Sequence, residues 1–139
     1  MTEPLEGYRQ LKGVSPAEDT IGPFYYAKNE LVLKCGFWVR EKNCNGLGTA
    51  HGGVLMSFAD YAVTMIALSG VRENCATINF TCNFIASAYK GDWVEAEGEV
   101  IKRTGTMCFL KGELRVKESV VMTFQSVVKR LPKKGRKGN

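Results

Sequence analysis

The rhythm of apolar and polar positions changes along the chain, and each change marks an element. From Val54 to Leu68 the sequence reads V-L-M-S-F-A-D-Y-A-V-T-M-I-A-L, almost unbroken apolar and free of Pro and Gly. The run is too long for an ordinary strand and predicts a helix, entered through the turn that begins at Asn45 and closing at Gly70. Its clearly polar side chains are Ser57, Asp60 and Thr64, spaced three and four apart, so they share one narrow stripe. A helix that is apolar almost all round is buried on almost all sides, so this one is expected at the centre of the molecule. A membrane span is the rival reading. The run is at the short limit for spanning, carries Asp60 near its middle and lacks basic flanks, which argues against it.

On either side of this run the period is that of strands. Phe24 to Ala27 and Glu30 to Glu41, joined by a turn at Lys28-Asn29, predict a hairpin. Ala76 to Ala86 alternates Ile78, Phe80, Cys82 and Phe84 against Thr77, Asn79, Thr81 and Asn83, the pattern of a half-buried strand. After Lys90-Gly91-Asp92, Trp93 to Arg103 alternates Val94, Ala96 and Gly98 against Glu95, Glu97 and Glu99. Met107 to Lys117 and Ser119 to Leu131 follow, set off by Thr104-Gly105-Thr106 and by Lys117-Glu118. Short connections of this kind predict antiparallel neighbours in a meander. Residues 1–22 are weakly patterned. Ser15-Pro16-Ala17-Glu18 fits a capping box with Pro at the first helical position, and Gly22-Pro23 ends any helix within a turn or two. The expected layout is α+β, a curved antiparallel sheet wrapped around one long central helix. It divides into a lead-in (1–22), one domain (23–131) and a basic tail (132–139).

Composition refines this picture in three places. A chain of 139 residues is long enough for one domain with a real core. The net charge of +5 falls to +1 once Lys133, Lys134, Arg136 and Lys137 of the tail are set aside, so the body has no basic nucleic-acid face. The tail itself reads as a solvated, disordered end. Cys35, Cys44, Cys75, Cys82 and Cys108 are scattered without a C-x-x-C pair, which suggests reduced thiols. No signal peptide is apparent, and a cytoplasmic location is expected. With one histidine and no clustered cysteines, a zinc site is not expected.

The candidate chemistry lies at the start and on the polar stripe of the helix. Gly52 and Gly53 fall where first-turn amides have no intrahelical acceptor and where the helix dipole is positive. Lacking side chains, they let a substrate oxygen approach the backbone, a plausible place to polarise a carbonyl or hold an anion. Asp60 is costly to bury for structure alone, and a carboxylate there suits a general base. It lies eight residues past Gly52, or roughly 12 Å along a helix axis. If the two cooperate, the carboxylate must come from a second copy of the chain. His51 is either a helix-start residue bonded to nearby backbone or a member of the site. Asn45 is a turn-former by default, and its amide could also orient a water or a carbonyl. Ser57 and Cys44 lack the elbow and orienting group of a nucleophile. Gly46-x-Gly48-x-x-His51 lacks the third glycine and the βαβ unit of a dinucleotide site. Met56, Met65, Phe80 and Phe84 are expected in the core, some lining a pocket.

These residues form a recognisable set. Asn45-x-x-Gly48-x-x-His51-Gly52-Gly53 followed by Asp60 resembles the hotdog-fold acyl-CoA thioesterases of the phenylacetate-degradation (PaaI-like) type, with the element order matching from about Gly22 to Leu131. The resemblance implies a homodimer with shared active sites, often paired into a homotetramer. It implies that the Gly52 amide polarises the thioester carbonyl and that Asp60 of the partner acts as general base or nucleophile. Asn45 would position the water or the carbonyl, His51 would hold the turn and contact the site, and Thr77 would supply a supporting hydroxyl. Gly53 would line the substrate, with Lys90, Lys102 and Arg103 meeting the coenzyme A phosphates. Coenzyme A would enter only as part of the substrate, without metal or redox cofactor. Asn79 and Thr81 depart from related sequences, which often carry Asp and Asn there. The alternatives are a non-catalytic acyl-CoA-binding module, a nucleic-acid-binding protein using the basic tail, and a hydratase. A hydratase usually pairs its Asp with a nearby His, which this helix lacks.

Overall fold

The computed structural model describes residues 3–29, 32–69 and 73–131; the predicted basic tail lies outside them. A six-residue helix, α1 (Pro16–Ile21), leads into strands β1 (Tyr25–Lys28) and β2 (Leu33–Trp38). A single 3₁₀ turn at Glu41–Asn43 precedes the long helix α2 (Gly52–Ala67). Then come β3 (Asn74–Phe84), β4 (Trp93–Arg103), β5 (Met107–Val116) and β6 (Ser119–Leu131). All strands form one antiparallel sheet in the order β1-β2-β4-β5-β6-β3. This is the predicted α+β hotdog architecture.

The sheet departs from a plain meander at one strand. β4, β5 and β6 follow one another, but β3 pairs with β6 at the far edge and β2 takes the place beside β4. The chain therefore crosses the width of the sheet between β3 and β4. A short gap in sequence predicts a neighbour only when nothing else competes for the edge. Here β2 already holds β4, through pairs from Cys35–Ala96 to Trp38–Trp93.

Helix α2 lies in the hollow of the sheet. Leu55, Phe58, Ala59, Ala62, Val63 and Ile66 are buried against Phe37, Val94, Ala96, Leu110, Leu114 and Met122 of the strands. Phe24 meets Phe37 and Phe58 edge-on, with ring centres 5.3 and 5.1 Å apart. Gly98 and Gly112 face each other on β4 and β5, and a Cβ at Gly112 would overlap the Glu97 carbonyl oxygen and the Phe124 ring. The helix is less enclosed than its composition predicts. Met56 is 40% exposed and Gly53 is also exposed, because no described strand covers the side beyond β3.

The lead-in is bound to the sheet. Arg9 bridges Tyr26, the Trp38 indole donates to the Glu3 carbonyl, and Tyr8 packs edge-on against Trp93. α1 ends at Gly22 as predicted, but the Ser15 side chain makes no cap bond.

Candidate active site

The turn before α2 is built by Asn45. Its Oδ1 accepts from the amides of Leu47 and Thr49 at 2.9 and 3.2 Å and from the Thr49 hydroxyl at 3.2 Å. The Gly48 amide returns to the Asn45 carbonyl, and Gly48 has φ +80, which glycine adopts without strain. With Oδ1 held by three donors, the Asn45 side-chain NH₂ has its direction fixed and remains a donor.

His51 is the N-cap of α2, and its Nδ1 accepts from the Gly53 amide at 2.9 Å. The amides of Val54 and Leu55 both return to the His51 carbonyl. No described residue accepts from the Gly52 amide. The capping histidine thus satisfies one first-turn donor and leaves its neighbour available at the positive end of the helix. Over Gly52 stands the Phe84 ring, 3.2 Å from where a Cβ would be. Phe84 is 53% exposed; it covers the helix start and is not a core residue as its alternation predicts.

Asp60 is half-buried on the side of α2 facing β3, where its Oδ1 accepts from the Thr77 hydroxyl at 2.6 Å. This contact exists because β3 is irregular. Thr77 pairs with Val128 but Asn79 pairs with Val127, so Ile78 is an extra residue, a bulge. Beyond the bulge Phe80 and Cys82 face inward; before it Thr77 does. The strict alternation read from the sequence puts Ile78 inward and Thr77 outward, and the bulge reverses both: Ile78 is 54% exposed.

Asp60 and Gly52 do not meet. They sit on one continuous helix, eight residues or about 12 Å apart. Of the remaining predicted residues, Gly53 lies at the helix start. Lys90 flanks the Asn45 turn through its amide bond to the Gly48 carbonyl, with its ammonium 2.7 Å from Glu41. Lys102 is exposed. Arg103 donates to the Ala67 carbonyl at 2.8 Å, at the opposite end of α2 from Gly52.

Three neighbours of the site escape a reading of the sequence. Asn43 is 1% exposed; its Oδ1 accepts from the Arg40 amide, its Nδ2 donates to the Ile21 carbonyl, and its carbonyl accepts from the His51 amide. It ties α1 to the start of α2. Glu18 of α1 has its carboxyl pushed above the ordinary range, by burial first and then in part by the charge of Asp60. Ser126, 2% exposed, donates to the Asn79 carbonyl at 2.9 Å beside the bulge. A polar residue in the apolar phase of β6 is the one sequence signal that marks Ser126.

A cavity of about 730 Å³ lies elsewhere, on the polar sheet face lined by Thr81, Asn83, Glu97, Lys111, Glu113 and Gln125. No described group of three His, Cys, Asp or Glu is placed to hold a metal ion. No described helix is long and apolar enough to cross a membrane.

Comparison with known proteins places these features in a family. The thioesterase superfamily profile matches residues 47–123, the span from the Asn45 turn to the middle of β6. A candidate esterase of Pseudomonas aeruginosa, PA0474, is 34% identical over 128 residues, covering 88% of this chain and 93% of that protein. Among solved structures, the PaaI protein of the Escherichia coli phenylacetic acid degradation operon superposes with a TM-score of 0.76 at 19% identity, over 85% of this chain and 86% of that one. A Streptococcus pneumoniae hypothetical thioesterase solved with coenzyme A gives a TM-score of 0.71 at 17% identity, over 81% and 91%. These two structures share the fold, and the sequence matches carry the kinship: this chain belongs to the thioesterase superfamily.

Proposed function

We propose that the protein hydrolyses acyl-CoA thioesters to a carboxylic acid and free coenzyme A, at sites shared between two copies of the chain. The observation that carries this reading is the separation of two prepared groups on one helix: an unclaimed amide at Gly52 and a carboxylate at Asp60 oriented by Thr77. Each is half of a hydrolytic site, and one copy cannot bring them together. The edge strand β3 supports the pairing. It is eleven residues long, mostly exposed, and no described strand pairs with its outer side. A second β3 would satisfy that edge and bring a second α2 beside the first.

In this scheme the thioester carbonyl accepts from the Gly52 amide of one copy. Asp60 of the other takes a proton from water as the water oxygen attacks the carbonyl carbon. Negative charge collects on the carbonyl oxygen, where the helix start stabilises it. The intermediate then expels the thiolate as the C–S bond breaks, and the thiolate takes up the proton that Asp60 holds, which restores the carboxylate. Direct attack by Asp60, forming an anhydride that water then opens, uses the same geometry. The Asn45 side-chain NH₂ is a donor for the water or the carbonyl, and His51 acts through the Gly53 amide.

The ligand assignment rests on the family and on relatives of the same fold, one solved with coenzyme A and another, from Streptococcus mutans, with acetyl-CoA. Lys90 is the basic residue beside the Asn45 turn and Lys102 is exposed; both are candidates for the phosphates, whereas Arg103 already serves the helix terminus. The reading requires no cofactor beyond the coenzyme A of the substrate. Five free thiols suit the cytoplasm.

The test is thiol release from acetyl-, palmitoyl- and benzoyl-CoA. Asp60→Asn is expected to lower turnover by roughly 10²–10⁴-fold, the scale of a lost base. A folded mutant with unchanged rate refutes the mechanism. Binding of these esters without thiol release by the wild type points instead to a ligand-binding module.

A further inference from the structure

Asn43 and Ser126 are the two buried polar side chains of the described core. Asn43 is accounted for by the start of α2. Ser126 stands on the inward row of β6 between Phe124 and Val128, where an apolar side chain would pack as well. Its hydroxyl has one partner among the described residues, the carbonyl of Asn79, at 2.9 Å. Asn79 is the first residue past the extra residue Ile78, at the point where the β3–β6 ladder changes register. A bulge disrupts the ladder locally and leaves its backbone groups in need of other partners. Ser126 supplies a donor there. On the far side the bulge is anchored by Phe80, stacked on Phe124 with ring centres 5.8 Å apart.

The consequence lies two residues away. Without the bulge, the inward phase of Phe84, Cys82 and Phe80 would continue through Ile78, and Thr77 would face away from α2. With it, Thr77 reaches Asp60 at 2.6 Å. We propose that Ser126 is a positioning residue for the Asp60 carboxylate: its hydroxyl holds the bulge at Ile78, and the bulge aims Thr77 at Asp60. The inference rests on the hydrolytic reading above, in which Asp60 does the chemistry. Ser126 touches neither substrate nor Asp60 and acts through β3.

The experiment measures kcat and KM for thiol release by the full chain, with the ester the wild type turns over fastest. The variants are Ser126→Ala, Ser126→Cys, Thr77→Val, the Ser126→Ala/Thr77→Val double mutant, and Asp60→Asn. Ser126→Ala is expected to lower kcat about tenfold with little change in KM, short of the ~10²-fold that a 1 Å displacement can cost. Ser126→Cys fills the same space with a weak donor and is expected to lose as much. It also reports on the hydroxyl if the alanine variant does not fold. In the Thr77→Val background Ser126→Ala should cost nothing further, because the residue it aims is gone. Full activity in Ser126→Cys, or losses that multiply in the double mutant, would overturn the positioning role while a dead Asp60→Asn upholds the mechanism. An active Asp60→Asn overturns both.

Discussion

α1 packs on α2, and Glu18 of α1 feels the charge of Asp60 on α2. Burial contributes most to holding the Glu18 carboxyl above its ordinary range, and Asp60 adds to it. The sign follows from linkage. A carboxyl whose pKa is higher in the folded state binds its proton more readily there than in the unfolded chain. Its effect on stability is therefore nil well below the unfolded value and unfavourable as pH rises through the folded one. Glu18→Gln should match the wild type in Tm near pH 3 and exceed it near pH 7, the gap opening between about 4 and neutrality. Thermal unfolding of both proteins across that range checks this, and a gap independent of pH would remove the charge explanation. Residue-scale detail of this kind is only partly legible in a sequence. Ser15-Pro16-Ala17-Glu18 marks a helix start correctly, but nothing in that tetrapeptide says which carboxylate will lie opposite Glu18.

At the scale of elements, α2 and the strands beneath it tolerate change very differently at their glycines. On the β4–β5 pair, a methyl at Gly112 meets a backbone carbonyl and the buried Phe124 ring, neither of which can withdraw. At Gly52 it meets an exposed ring, Phe84, at 3.2 Å. Gly112→Ala is thus expected to cost about 3 kcal/mol of stability, the upper range for overpacking. Gly52→Ala should fold nearly as well as wild type and lose turnover instead, because the methyl stands beside the amide proposed to hold the carbonyl. Denaturant unfolding and thiol release on both variants separate the two outcomes. A Gly52→Ala protein with full turnover would count against a carbonyl bound at that amide. The helix and its start were legible in the apolar run and the paired glycines. The inward face of β3 was not, because alternation assumes a regular strand and the extra residue at Ile78 shifts the phase.

For the whole molecule, the proposed site exists only between two copies. Asp60→Asn keeps the Gly52 half intact, and Gly52→Val keeps the Asp60 half. Each variant alone should be nearly inactive. Mixed in equal amounts and allowed to exchange, they should recover about a quarter of wild-type activity, since half the dimers are mixed and each of those carries one intact site. No recovery, with exchange verified by mass, would overturn the shared site.

Local events are set by neighbouring residues: a helix where the apolar run is longest, strands where the period is two, and turns at Asn45 and Asn29. These depend on residues close along the chain, whose periodicity and turn chemistry are written in order. The sequence also sets the roughly 12 Å between Gly52 and Asp60, because the rise of a helix is fixed. Long-range packing alone puts β3 beside β6, bulges Ile78 so that Thr77 reaches Asp60, and joins α1 to the cap of α2 through Asn43. Those outcomes follow from competition among distant segments for the same edges, carbonyls and buried space, and no single stretch of sequence contains all the competitors.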